Sequence, residues 1–128
     1  MSEQHKEIIN KVNAGFEKND PEVFLGYCTD DVTWSMAGET PRTGKDSIRE
    51  WIKSMGDEMG PPKLTTTGII SDGDSAACYG EMSMPEKGET KFYSFCDIYK
   101  FKDDKIVELR SFAVKTSPEG QQKTATAK

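Results

Sequence analysis

The chain has 128 residues, 34% of them aliphatic, aromatic or cysteine, and a formal net charge of −5. That length fits one domain able to bury a core of its own. The acidic balance argues against a nucleic-acid partner, whose phosphates call for lysine and arginine gathered on one face. No stretch approaches the roughly eighteen apolar residues of a membrane span, and the N-terminus lacks the apolar segment of a signal peptide. A cytoplasmic protein without membrane contact is therefore expected.

Helical spacing dominates the first half. Ile8, Val12 and Phe16 fall at i, i+4 and i+8 with Ile9 beside them, which predicts a helix over about residues 3–18. Asn19-Asp20-Pro21-Glu22 restarts the chain. Asp20 is placed as an N-cap, Pro21 suits a first helical turn, and Glu22 complements the dipole there. Phe24, Tyr27 and Cys28 are the expected buried side of this short second helix. Val32 to Met36 alternates like a first strand, and Ala37 to Lys45 reads as a loop. Thr43 and Asp46 have capping-box spacing before a third helix whose Ile48, Trp51, Ile52 and Met55 form one face.

The second half changes period. Leu64–Ser71, Ser75–Pro85, Lys91–Phe101 and Ile106–Val114 read as strands, giving five in all. Asp72-Gly73-Asp74, Glu86-Lys87-Gly88-Glu89 and Lys102-Asp103-Asp104-Lys105 supply hairpin chemistry between them. Helices followed by consecutive hairpins is an α+β arrangement. Residues 1–115 are expected to form the domain. Residues 116–128, without a large apolar side chain, are expected to form a flexible tail.

Candidate chemistry concentrates on one strand. In Lys91–Phe101 the odd positions are Lys91, Tyr93, Phe95, Asp97, Tyr99 and Phe101, an aromatic face with one carboxyl group in its middle. If that face packs under the helices, desolvation raises the pKa of Asp97 and lets it donate a proton or hydrogen bond near neutrality. A structural role fits as well, with Asp97 paired to a neighbouring lysine or accepting a hydrogen bond from Trp34, Trp51 or a tyrosine. On the last strand Val107, Leu109, Ser111 and Ala113 suit a cavity wall. Ile106, Glu108, Arg110, Phe112 and Val114 mix charge with bulk, as a face toward water or another subunit does.

Several stretches, in this order, resemble the nuclear transport factor 2-like superfamily. Phe16-Glu17-Lys18-Asn19-Asp20-Pro21-Glu22 and Cys28-Thr29-Asp30-Asp31-Val32-Thr33-Trp34 are similar to its opening. Pro41 to Glu50 is similar to its entry to the third helix. Asp97-Ile98-Tyr99-Lys100-Phe101 and Lys105 to Phe112 are similar to its closing strands. The resemblance covers residues 3–115, and SnoaL-like and ketosteroid-isomerase-like members are closest in layout. It implies three N-terminal helices on a curved, mainly antiparallel sheet, a cone-shaped α+β barrel with an internal pocket. It also implies a homodimer joined through the outer sheet face.

Carried over residue by residue, the ketosteroid isomerase base position falls on Met36, its tyrosine position on Val12 and its neutral-acid position on Asp97. Met36 cannot accept a proton, so steroid isomerisation by that mechanism is not expected. Limonene-epoxide-hydrolase-like enzymes need an arginine where Phe95 stands and a later aspartate, and no aspartate follows Asp104. The same absence removes the acid/base aspartate of the SnoaL cyclases. Scytalone-dehydratase-like chemistry needs pocket histidines, and the single His5 is expected to be solvated among Glu3, Gln4, Lys6 and Glu7.

The expected pocket thus has Asp97 as its catalytic candidate. Val12 and Phe16 of the first helix, Trp34 and Met36 of the first strand, and Trp51 of the third helix would bind substrate. So would Met82, Tyr93, Phe95, Tyr99, Leu109 and Ser111 of the later strands. Glu39 and Arg42 stand near the mouth, either touching a polar substrate or solvated. Cys28, Cys78 and Cys96, odd in number and far apart, suit neither a disulfide framework nor a metal cluster. They read as free thiols in a reducing compartment. No cofactor and no metal are implied. Two functions fit: an isomerase-, cyclase- or dehydratase-like enzyme acting on a small apolar or amphipathic molecule, or a non-catalytic carrier or dimerising association domain.

Overall fold

In the computed structural model, residues 2–56 and 59–117 are described. Helix α1 (Ser2–Glu17) buries the expected stripe, with Ile8, Ile9 and Val12 no more than 5% exposed. It stops where Asn19 turns to a φ of 60°, a left-handed conformation that asparagine tolerates better than most residues. Helix α2 (Glu22–Gly26) then folds back tightly. A Cβ added at Gly15 would stand 2.7 Å from the Val23 Cβ, so the small residue permits this approach.

Pro21 occupies the N-cap of α2 without a side-chain cap, so Asp20 does not play that role. Its backbone carbonyl accepts from Val23 N at 3.3 Å instead. The buried residues of α2 are Phe24 and Leu25. Tyr27 is its half-buried C-cap, and Cys28 opens the next strand. Helix α3 (Lys45–Gly56) is tied to α2 by the Arg49 guanidinium, whose Nε and Nη2 donate to the Glu22 carboxylate at 2.7 and 3.0 Å.

The six strands are β1 (Cys28–Met36), β2 (Arg42–Thr43), β3 (Lys63–Asp72), β4 (Ser75–Glu86), β5 (Glu89–Lys102) and β6 (Lys105–Thr116). They form one curved, unclosed sheet in the order β2-β1-β6-β5-β4-β3, antiparallel except for the parallel pair β1 and β6. Five strands are expected from the sequence. The sixth, β2, is a two-residue pairing inside the loop, too short to show a period. Two-residue turns link β4 to β5 and β5 to β6. Both of their central residues, Lys87-Gly88 and Asp103-Asp104, have positive φ, as the twist-matched hairpin turn requires.

Two irregularities bend the sheet. Between Thr66 and Gly68 the register with β4 slips, and Gly80 lies opposite. A Cβ at Gly80 would overlap the Thr65 carbonyl oxygen, so only glycine lets the strands close there. Between Lys100 and Phe101 the register with β6 shifts by one residue, pairing Phe101 with Ile106. That slip carries Ile106 into the core at 0% exposure, where plain alternation puts it on the outer face.

His5 also departs from expectation. It is 4% exposed, its ring is stacked on Phe101 at a centroid distance of 4.0 Å, and its Nε2 lies 3.5 Å from Asp104 Oδ1. It belongs to the same buried stripe as Ile8, Ile9 and Val12, and the β5–β6 turn closes over it. Thr116 pairs with Phe92 and ends β6. From residue 118 onward the expected tail lies outside the described residues.

Candidate functional site

A cavity of about 340 Å³ lies between the helices and the concave face of the sheet. Alternation along β5 decides its chemistry. Tyr93, Phe95 and Asp97 point into it while Ser94, Cys96 and Ile98 point away, because successive residues of a strand face opposite sides. Leu109 and Ser111 face it from β6, Trp34 and Met36 from β1, Met82 from β4 and Phe16 from α1. Nine of the twelve expected site residues are thus brought together.

Val12, Trp51 and Tyr99 are the other three, and they stand behind the wall rather than on it. Val12 is 0% exposed in the core, with its neighbour Asn13 lining the cavity in its place. Trp51 packs edge-on against Trp34 at 5.0 Å and carries the Arg42 guanidinium 4.7 Å over its ring. Arg42 is therefore held away from the cavity, whereas Glu39 lines it. Tyr99 is buried in the core. Met84 lines the cavity beside Met82, as their shared side of the strand suggests, whereas sequence reasoning misses Ile52, Met55, Leu64 and Glu86 on the wall. Asn13 had a signal, being the polar member of the spacing Ile9, Asn13, Phe16 (i, i+4, i+7).

The one carboxyl group deep in the wall is that of Asp97. Protein surrounds it on every side but the cavity, and burial pushes its pKa up to about 7, opposed by a hydrogen bond from Ser111. The strands set that contact, since Asp97 and Ser111 are cross-strand partners. The Trp34 indole donates to Ser111 Oγ at 2.9 Å. An indole N–H can only donate, so the Ser111 oxygen accepts and its own hydrogen is left for Asp97. The Asp97 oxygen beside Ser111 accepts that hydrogen when the acid is ionised.

Nearby groups are less reactive. Burial raises the Cys28 thiol to about 12 and also raises Cys78, which accepts from Asn13 Nδ2 at 3.5 Å. Neither is a ready thiolate nucleophile. Tyr93 Oη donates to Glu86 Oε2 at 2.8 Å, a polar contact at the rim. Burial and this bond raise the phenol. Among the described residues no cluster of histidine, cysteine, aspartate and glutamate could hold a metal ion, and no helix is long and apolar enough to cross a membrane.

N-terminal helices against a curved, unclosed six-stranded sheet, with a cavity between, define a protein of the nuclear transport factor 2-like superfamily. Within it, the chain belongs to the SnoaL-like domain family, whose model matches residues 9–109. Its fold is similar to that of a nuclear transport factor 2-like protein from Burkholderia pseudomallei, with 13% identity, 98% of each chain covered and a TM-score of 0.79. It is similar to a limonene-epoxide-hydrolase-like epoxide hydrolase from M. tuberculosis at 13% identity, covering 87% of this chain and 83% of that one, with a TM-score of 0.76. A protein with a ketosteroid-isomerase-like fold from Catenulispora acidiphila, in complex with trimethylamine, gives 17% identity, 82% and 83% coverage and a TM-score of 0.75. At such identities the likeness establishes the fold alone. No curated protein matches the chain.

Proposed function

We propose that the chain is a pocket protein for a small apolar or amphipathic molecule. On this reading it catalyses a cofactor-independent isomerase-, cyclase- or dehydratase-like reaction with Asp97 as acid or hydrogen-bond donor. The observation carrying this reading is the placement of a lone carboxyl group in a wall of Phe16, Trp34, Phe95 and Leu109, across the strand pair from Ser111, where burial pushes its pKa up to about 7. An acid whose pKa lies near the working pH combines availability of the proton with readiness to give it up. On the family resemblance Met36 falls at the base position of the ketosteroid isomerases, and a thioether there does not favour substrates needing a strong protein base at that point. Apart from the carboxyl group the wall is mostly apolar, which suits orientation by shape.

The test is turnover after screening epoxides, cyclisable polyketide-like enols and hydroxy-ketones. Asp97→Asn keeps the shape and removes the acid, and is expected to lower kcat by about 10²–10⁴. Unchanged turnover would falsify the assignment and favour the carrier reading.

A second feature favours association. The convex face exposes Ile70, Tyr79, Ile98, Phe112 and Val114, with Ile70 and Val114 more than 60% exposed. Apolar side chains gathered on one sheet face are characteristic of a contact surface. A homodimer through that face is the arrangement we propose. A reducing cytoplasmic setting accords with three free cysteines.

A further inference from the structure

From the charge and surface chemistry of the cavity we infer that its natural occupant is an amphipathic amine, an apolar body carrying one basic nitrogen, with the nitrogen set against Asp97. The inference rests on the pocket part of the reading above and adds the class of molecule; it replaces the role of Asp97 as acid or donor, because a carboxylate paired with an ammonium donates nothing.

Four acidic side chains line the cavity, Asp20, Glu39, Glu86 and Asp97, and among the described residues no lysine or arginine does. The nearest guanidinium of the mouth loop, that of Arg42, is stacked over Trp51. Lys87 and Lys91 lie beside Glu86 just outside the cavity, Lys91 already paired with Glu89 at 3.2 Å. A carboxylate or phosphate ligand would pass the acids of the lining and meet Asp97 inside with no cation on the cavity wall to compensate it. Like charges in a partly desolvated site repel strongly. A cation meets the opposite field at every step, steered at the rim and paired inside. The wall adds π faces from Phe16, Trp34 and Phe95, the surfaces on which ammonium groups are held. Its methionine thioethers, Met36 and Met82 among them, adapt to an irregular apolar body.

The groups around Asp97 allow this pairing. Ser111 from β6 and Cys78 from β4 are its cross-strand partners, Tyr99 follows on its own strand, and Asn13 of α1 bonds to Cys78. None of them is basic, so Asp97 has no internal counter-ion to displace. The oxygen turned from Ser111 is left for the ligand. Above its pKa Asp97 receives an ammonium as an ion pair. Below it, binding the ammonium releases the carboxyl proton to solvent.

Three molecules of one skeleton test this: phenylpropylamine, phenylpropanol and phenylpropanoate, titrated calorimetrically against the full chain, with the fluorescence of the Trp34–Trp51 pair as a second readout. The amine is expected to bind about tenfold or more tighter than the alcohol, with the carboxylate weakest. Its affinity should fall from about pH 8 to about pH 5 with proton release, measured in buffers of different ionisation enthalpy. In Asp97→Asn the preference and the proton release should both be lost. If the alcohol binds as well as the amine, or the carboxylate binds best, the amine inference is overturned while the pocket reading stands. If none of the three binds at millimolar concentration, both are overturned.

Discussion

The two faces of the sheet are cut from the same strands and differ at alternate residues. On the concave face Phe95, Tyr99 and Leu109 are buried and one acid, Asp97, stands among them. On the convex face Ile70, Ile98 and Val114 are exposed among polar neighbours such as Arg110. Each face breaks the rule for its side, one by holding a carboxyl group in an apolar wall, the other by presenting aliphatic side chains to solvent. Those exceptions carry the functional proposals, because folding alone favours neither. An apolar residue at position 97 or a polar one at 98 would satisfy the fold at lower cost.

The largest expected effect attacks the concave side. Phe24 is fully buried and packs between Phe16 and Trp34 at centroid distances of 5.5 and 5.2 Å. Phe24→Ala should cost about 3–5 kcal/mol in a denaturant melt. A loss below about 1 kcal/mol would mean that this side is not the core.

Asp97 tests the acid itself. Its folded-state pKa of about 7 lies above the ordinary 3.8, so the folded chain holds the proton more tightly than the unfolded one. The stability that the neutral acid supplies is full below about pH 4 and is lost as pH rises through about 7. Asp97→Asn should therefore match the wild type near pH 4 and exceed it above pH 7 by up to about 4 kcal/mol. Carboxyl NMR gives the direct check, with a midpoint near 7. An ordinary carboxylate midpoint would return Asp97 to solvent and remove the contrast between the faces.

Gly80→Ala probes the bend that makes one face concave. The added methyl meets the Thr65 carbonyl oxygen, and a loss of roughly 1–3 kcal/mol is expected in thermal unfolding. The smallest effect on the folded monomer belongs to the convex face. Ile98→Asp should shift stability by no more than about 0.5 kcal/mol in a dilute melt. In sedimentation, however, it should turn a dimer into a monomer. A wild type that sediments as a monomer at all concentrations would remove the convex face from the functional account.

Local chemistry made much of this legible. Turn residues such as Lys87-Gly88 and Asp103-Asp104 mark hairpins because few sequences suit two positive φ values in a row. Period-two alternation on β5 points Asp97 and Phe95 the same way whatever the strand packs against. Other positions escaped it. A helix turns about a hundred degrees per residue, so the stripe shared by Val12 and Asn13 does not say which edge meets a cavity until the helix is docked. His5 looks solvated beside Glu3, Gln4, Lys6 and Glu7, and only the β5–β6 turn closing over it makes it a core residue.

By itself, then, the sequence determined the order of helices and hairpins and the grouping of one acid with the aromatic side of β5, since each depends on residues near one another in the chain. Tertiary structure alone decided that β1 lies parallel to β6, that a one-residue slip beside Phe101 sends Ile106 inward, and that Ser111 and Trp34 meet at Asp97. Such pairings join residues as far apart as Trp34 and Ser111. Their register is set by how whole strands and helices bury their apolar faces together, which no local window of the chain contains.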